Sequence, residues 1–292
     1  MFKILIARLL RLFPNQAESN LMVPFLQVHK KEDILIDTTV QPAYISCYYP
    51  SNPSGKQLPV YINLHGGAFI MNEKKMDDPY CRFLANQTGC VVINIDYAKA
   101  PEYPFPHPIE QCYEIYLWLR SHASALHIDG DRMMVGGQSS GGNIAAALCL
   151  LLKERGVSQP LLQVLGYPML DFVTPHGDKP EPNKWRAEYP QVAHFLNRCY
   201  VPGTNDAAHP HASPVKAENI AGVAKALLII PEHDAFSMEG KFYAEKLENA
   251  GVEVNLHIFD GCSHAFTHLG PREKAEEAWL LIAEEIKNII KM

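Results

Sequence analysis

The stretch Met133-Met134-Val135-Gly136-Gly137-Gln138-Ser139-Ser140-Gly141-Gly142-Asn143-Ile144-Ala145-Ala146-Ala147 constrains this chain more than any other. It reads as an apolar strand, a turn too tight for most side chains, then a helix of small residues. Inside it, Gly137-Gln138-Ser139-Ser140-Gly141 fits G-x-S-x-G with Ser139 at the centre. Such a serine sits on a strained strand-to-helix turn with its hydroxyl exposed above a sheet. A Cβ at either flanking glycine collides with the turn or the neighbouring strand. Ser140 does not fit, because Gln138 and not glycine stands two residues before it. The following helix aims its positive end at the site and favours developing negative charge. The plain alternative is a glycine-rich turn with no chemistry, and only the rest of the chain decides between the two.

At 292 residues the chain has room for one large α/β domain or two small ones, and for a sizeable core. Apolar residues make up 47% and charged residues 20%, the balance of an ordinary globular protein. The net charge of −6 argues against a nucleic-acid partner, which needs a basic face. Seven cysteines (Cys47, Cys81, Cys90, Cys112, Cys149, Cys199, Cys262) are scattered, odd in number and never in C-x-x-C spacing. They read as reduced, buried thiols of a cytoplasmic protein. No apolar run has transmembrane length. The N-terminal run Met1 to Phe13 is interrupted by Arg8 and Arg11, and no small-x-small cleavage site follows it. It is expected to form an amphipathic helix packed on the protein's own body, with Lys3, Arg8 and Arg11 on the wet side. Adsorption to a membrane surface is the sharper alternative. Whether the chain is a monomer or a dimer is left open.

Strands are expected at 34–36, 43–49, 60–64, 90–95, 133–138, 161–166, 225–230 and 252–259. Helices are expected at 78–87, 109–121, 140–154, 237–250 and 272–291. Alternating strands and helices build a mostly parallel sheet with helices on both faces. The segment from Asp171 to Asn219 breaks the rhythm, being rich in Pro, His and polar residues. It is too long for a plain loop and reads as an insertion over the carboxyl ends of the strands.

A serine hydroxyl is a poor nucleophile until a base takes its proton, and an acid must hold that base in the right tautomer. On this kind of turn both partners follow the serine in the chain, acid first. Asp234 follows the 225–230 strand, with Glu232 and Asp260 as rival acids. His264 follows the last strand by one short loop, with His268 as its rival. An oxyanion needs backbone donors. His65-Gly66-Gly67-Ala68 follows an early strand, and nothing but hydrogen projects from the Cα of Gly66 or Gly67. The amide of Ser140 is a further donor. His209, His211, His176 and His194 lack a cysteine or carboxylate that completes a zinc spacing, so no metal is expected. No G-x-G-x-x-G or phosphate loop is present, so no nucleotide cofactor is expected either.

Together these stretches resemble the hormone-sensitive-lipase family of α/β-hydrolase esterases. The resemblance rests on His65-Gly66-Gly67, on Asp96-Tyr97-Ala98-Lys99-Ala100-Pro101-Glu102 with Pro104-Phe105-Pro106, and on Gly137 to Asn143. It continues in the Asp234 loop with Glu239 and in Gly261-Cys262-Ser263-His264-Ala265-Phe266, all in family order over about 58–270. It implies an α/β-hydrolase fold over 1–292 as a single domain. A helical cap would come from about 1–30 and 171–219. Ser139 would be the nucleophile, Asp234 the acid and His264 the base. Gly66, Gly67 and Ser140 would form the oxyanion hole, supported by His65, Gly137 and Gly141. The implied substrate is a small-molecule carboxylic ester with a small or medium acyl group. An acetylated sugar or an arylformamide suits the same triad. A non-catalytic ligand binder on the same fold is the rival outside enzymes. Two departures stand out. Gln138 replaces the usual acid before the nucleophile, and Asp234-Ala235-Phe236-Ser237-Met238-Glu239 lacks the second aspartate of its motif. Both bear on substrate range more than on reaction type.

Overall fold

The computed structural model describes residues 2–11, 21–53, 57–71 and 73–291. Extended chain forms β1 (Lys30–Ile36), β2 (Ala43–Tyr49), β3 (Leu58–Leu64), β4 (Val91–Asp96), β5 (Ile128–Gln138), β6 (Leu162–Gly166), β7 (Lys225–His233) and β8 (Val254–Ser263). They share one sheet in the order β1-β2-β4-β3-β5-β6-β7-β8. β1 with β2 and β2 with β4 pair antiparallel, and the remaining neighbours run parallel. This is the mostly parallel sheet expected from the alternating elements.

The inner strands are apolar on both sides because helices cover both faces. Successive residues then serve different layers, as the period of two demands. Val60, Ile62, Ile93, Met133, Val135 and Leu228 point into one core, while Tyr61, Val92, Met134, Val164, Leu227 and Ile229 point into the other. The first layer is closed by α3 (His107–Ser121), α4 (Ser140–Glu154) and α8 (Ser237–Asn249). The second is closed by α2 (Asp78–Thr88) and the terminal helix α10 (Arg272–Lys291). There Trp279 stacks on Tyr80 at 4.7 Å between ring centres. All seven cysteines are free and buried.

Several boundaries move. β1 begins at Lys30, ahead of the expected 34–36, because its ladder with β2 pairs Lys30 with Tyr49. β5 begins at Ile128, and β8 runs on to Ser263 through the ladder with β7. The 171–219 segment holds α5 (Lys184–Glu188), α6 (Pro190–Tyr200) and α7 (Thr204–Ala208). A further short helix, α9 (Phe266–Leu269), follows β8.

The N-terminal helix α1 (Phe2–Arg11) packs on the body through Ala7, which is fully buried. Leu12 and Phe13 lie outside the described residues. Its polar residues are not all on the wet side. Arg11 donates to the carbonyls of Ile70 and Ala100, each at 2.8 Å, and to both oxygens of Glu102. Lys3 donates to the carbonyl of Arg198 at 2.9 Å. Carbonyls left over by turns give these donors better partners than water does, and Leu5 and Leu9 face outward instead. Among the described residues no helix is long and apolar enough to cross a membrane.

Candidate active site

The site is built at the carboxyl ends of β3, β5, β7 and β8, where side chains of parallel strands emerge together. β5 ends at Gln138, and Ser139 takes φ 55°, ψ −114° before α4 begins. A non-glycine residue holds positive φ only when its surroundings impose it. Those surroundings are close. A Cβ on Gly137 would lie 2.3 Å from the Leu64 carbonyl oxygen, and one on Gly141 would lie 1.9 Å from it. The Ser139 amide donates to the Gly166 carbonyl at 2.8 Å, and the Asn143 side chain donates to the Met169 and Ala212 carbonyls. The turn is thereby pinned from both neighbouring strands.

Three side chains far apart in the chain meet here. His264 Nε2 lies 3.0 Å from Ser139 Oγ, and its Nδ1 lies 2.8 Å from Asp234 Oδ2. The other Asp234 oxygen accepts the Phe236 amide at 3.0 Å, and the residue is only 4% exposed. A carboxylate held on both oxygens fixes the ring, and with it which nitrogen faces the serine. Tyr167 and Phe236 stand edge-on to the imidazole at 5.0 and 5.2 Å. The rivals are turned elsewhere. Glu232 accepts the Gly261 amide at 2.8 Å, and Asp260 is exposed. His268 directs Nε2 to Asp77 Oδ1 at 3.1 Å and Nδ1 to the Thr267 hydroxyl at 2.9 Å.

The His65-Gly66-Gly67 loop leaves β3 beside the elbow. Gly67 has φ 128°, and Ala68 and Phe69 also have positive φ. The amides of Gly67 and Ser140 donate to no other group among the described residues. His65 is fully buried, with Nδ1 2.7 Å from its neighbour's carbonyl and its ring stacked on Tyr97. The Tyr97 hydroxyl donates to the His65 carbonyl at 2.8 Å and lies 3.3 Å from Ser140 Oγ, tying the loop to the elbow. Burial works to raise the Asp96 pKa, but His65 and Lys99 outweigh it and hold the carboxyl well below its usual range.

A cavity of about 400 Å³ opens over Ser139, within the range of small-molecule sites. Met71, Met169, Leu196 and Phe236 give it apolar walls. Trp185 and Tyr189 of the inserted segment stand at its rim, more than 40% exposed and 5.6 Å apart. Among the described residues no aspartate or glutamate lines it.

Two features beside the site are not readable from the sequence. Asp77 and His268 form a buried pair, backed by Asn63 donating to Asp77 at 2.7 Å. Burial raises the Asp77 pKa, yet His268 and Asn63 together carry it below the usual value. Asp77 sits in the charged run Lys74-Lys75-Met76-Asp77-Asp78, which looks solvent-facing, so no local signal marks it. Glu239 and Lys179 are the second pair, at 3.0 Å with both side chains under 10% exposed. The four histidines weighed for a metal do not converge. His176 pairs with Glu181 and His211 with Glu154, and no group of metal-ligating side chains forms among the described residues.

Comparison with known proteins agrees with this architecture. A family model described as the α/β hydrolase fold matches residues 61–268. The chain belongs to that family, and within it to the carboxylesterases resembling hormone-sensitive lipase. An arylesterase of Saccharolobus solfataricus is 30% identical over 79% of this chain and 74% of its own length. An ethyl acetate hydrolase of Pseudomonas putida is 31% identical over 77% of this chain and 72% of its own. A hyperthermophilic esterase from Pyrobaculum calidifontis superposes with a TM-score of 0.82 at 30% identity, covering 99% of this chain and 88% of that one.

Proposed function

We propose that this chain is a serine esterase that hydrolyses carboxylic esters with small to medium acyl groups. The observation that carries the reading is the unbroken line Asp234 Oδ2, His264, Ser139 Oγ, with contacts of 2.8 and 3.0 Å at the mouth of an apolar cavity. His264 takes the Ser139 proton as the oxygen attacks the ester carbonyl, and Asp234 stabilises the imidazolium that forms. The Gly66, Gly67 and Ser140 amides receive the oxyanion, each donor being worth roughly 10²–10³ in rate. His264 then protonates the departing alkoxide. Water repeats the sequence on the acyl-enzyme and frees Ser139.

The segment 171–219, with the N-terminal helix, acts as a cap. It supplies the aromatic rim, and the cavity beneath it limits acyl length. Apolar walls suit an alkyl or aryl ester better than an acetylated sugar, and the complete Ser-His-Asp line weighs against a non-catalytic binder. The test is turnover of p-nitrophenyl esters from acetate to palmitate, wild type beside Ser139→Ala. Turnover is expected to peak at short or medium chains and to fall by at least about 10⁴-fold in the variant. A variant retaining full turnover would refute the assignment.

A further inference from the structure

The loop from His65 to Met71 holds a conformation that its own residues do not favour. Gly67, Ala68 and Phe69 take φ 128°, 52° and 64° in succession, and two of the three carry a Cβ. Non-glycine residues keep positive φ only where their surroundings over-determine it. The loop lies against the nucleophile. A Cβ on Gly66 would sit 3.7 Å from that of Ser139, and Gly66, Gly67 and Ala68 line the cavity. Its far end is tied from the N-terminal helix. Arg11 Nε donates to the Ile70 carbonyl and Nη2 to the Ala100 carbonyl, each at 2.8 Å. Nη1 and Nη2 also donate to the two oxygens of Glu102, at 2.9 and 2.8 Å. The Ala100 amide donates to the Phe69 carbonyl at 3.0 Å, which closes a circuit of bonds through Arg11, Ile70, Phe69 and Ala100. Burial works to raise the Glu102 pKa, but hydrogen bonds led by that of Arg11 outweigh it, so the guanidinium meets an anion.

We infer that Arg11 is a positioning residue for the reaction: its fork holds the 67–69 backbone in the shape that the proposed oxyanion hole requires. An oxyanion donor acts only within hydrogen-bond distance of the developing charge, so a relaxed loop weakens the hole while leaving the triad intact. Arginine suits the task because its planar guanidinium presents donors on three nitrogens at fixed angles. The single nitrogen of a lysine cannot span two carbonyls and a carboxylate in that way. Lys3, a second tether of α1, bonds to a different segment, the Arg198 carbonyl at 2.9 Å. The N-terminal helix thus does more than cover the cavity. This inference rests on the proposed esterase reading and adds to it a residue that acts on transition-state binding through the loop.

The experiment measures kcat and KM on p-nitrophenyl butyrate for wild type, Arg11→Ala, Arg11→Lys and Lys3→Met, below the lowest Tm of the set. Arg11→Ala is expected to lose at least about tenfold in kcat, part of what removing a whole oxyanion donor costs. KM should stay within about twofold, as for an interaction made only in the transition state. Binding of an alkyl trifluoromethyl ketone, whose adduct with Ser139 places an oxyanion in the hole, should weaken by the same factor as kcat/KM. Added methylguanidine should restore part of the lost kcat in Arg11→Ala and leave wild type unchanged. Arg11→Lys keeps the charge without the fork and should also lose kcat, which preserves the test if the alanine variant does not fold. Lys3→Met should turn over like wild type. Full kcat in the Arg11 variants, a rise in KM alone, or an equal loss in Lys3→Met would overturn the inference. The esterase reading is judged separately, by whether Ser139→Ala abolishes butyrate turnover.

Discussion

Gly141 shows how little freedom a single position has at this turn. The atom it lacks would lie 1.9 Å from the Leu64 carbonyl oxygen and 2.7 Å from that of His65. Both are backbone atoms, so neither can swing aside. Gly141→Ala is therefore expected to destabilise the fold by about 4 kcal/mol or more, in the tail of single-substitution effects. Urea unfolding followed by circular dichroism checks this, and a loss under 1 kcal/mol would contradict it. The constraint was legible because it is local: a strand, two glycines and a small-residue helix stand within fifteen residues. Asp234 and His264 were placed by a different signal, since each stands in the short loop after a segment that reads as a strand, 225–230 and 252–259. The partners of Asp77 and Glu239 were not legible. Each is joined to a residue at least sixty positions away, Asp77 to His268 and Glu239 to Lys179, and no pattern along the chain records such a meeting.

Among the elements, α9 follows directly on the His264 loop, and its anchor is the Asp77–His268 pair against the start of α2. Removing one member of a buried pair leaves the other uncompensated, so Asp77→Asn is expected to cost about 3 kcal/mol near neutral pH. The sign with pH follows from the depressed Asp77 pKa. A carboxyl lowered from 3.8 in the folded state contributes stability that is complete above that value and is lost as pH falls below it toward the lower folded-state value. The gap between wild type and Asp77→Asn should therefore narrow below about pH 4. Chemical unfolding at pH 7 and at pH 3.5 measures it, and a gap that widens in acid would be wrong for this pair. The helix α1 teaches a related lesson about reading elements. Its hydrophobic spacing predicted a helix, but Arg11 turned inward because the Ile70 and Ala100 carbonyls and Glu102 needed donors. Spacing alone does not record such needs.

At the scale of the whole molecule, the Lys179–Glu239 contact joins the inserted segment to α8 on the sheet. Burial is the larger influence on Glu239 and pushes its pKa up to about 7, against the pull of Lys179. An acid raised from 4.5 binds its proton more tightly folded than unfolded, so stability falls as pH rises from about 4.5 to about 7. Glu239→Gln is expected to flatten that slope. Melting temperatures between pH 5 and pH 8 test it, and an unchanged slope would show that the dependence lies elsewhere. The overall architecture was readable because alternating strands and helices admit few arrangements. The helices of the 171–219 segment were not, since Pro, His and isolated aromatics carry no clear period.

The buried cysteines give this molecule a clock. Thiol reagents attack the thiolate, and burial pushes Cys90 up to about 11 and Cys112 and Cys149 higher still. Those sulfurs stay chemically silent while the layers hold together and answer only when the protein opens. The order in which they are labelled by a thiol-reactive dye should then rank the opening free energies of the strands and helices that carry them. A tight ester analogue in the cavity should slow the sites that open together with the 171–219 segment and spare those that open independently of it.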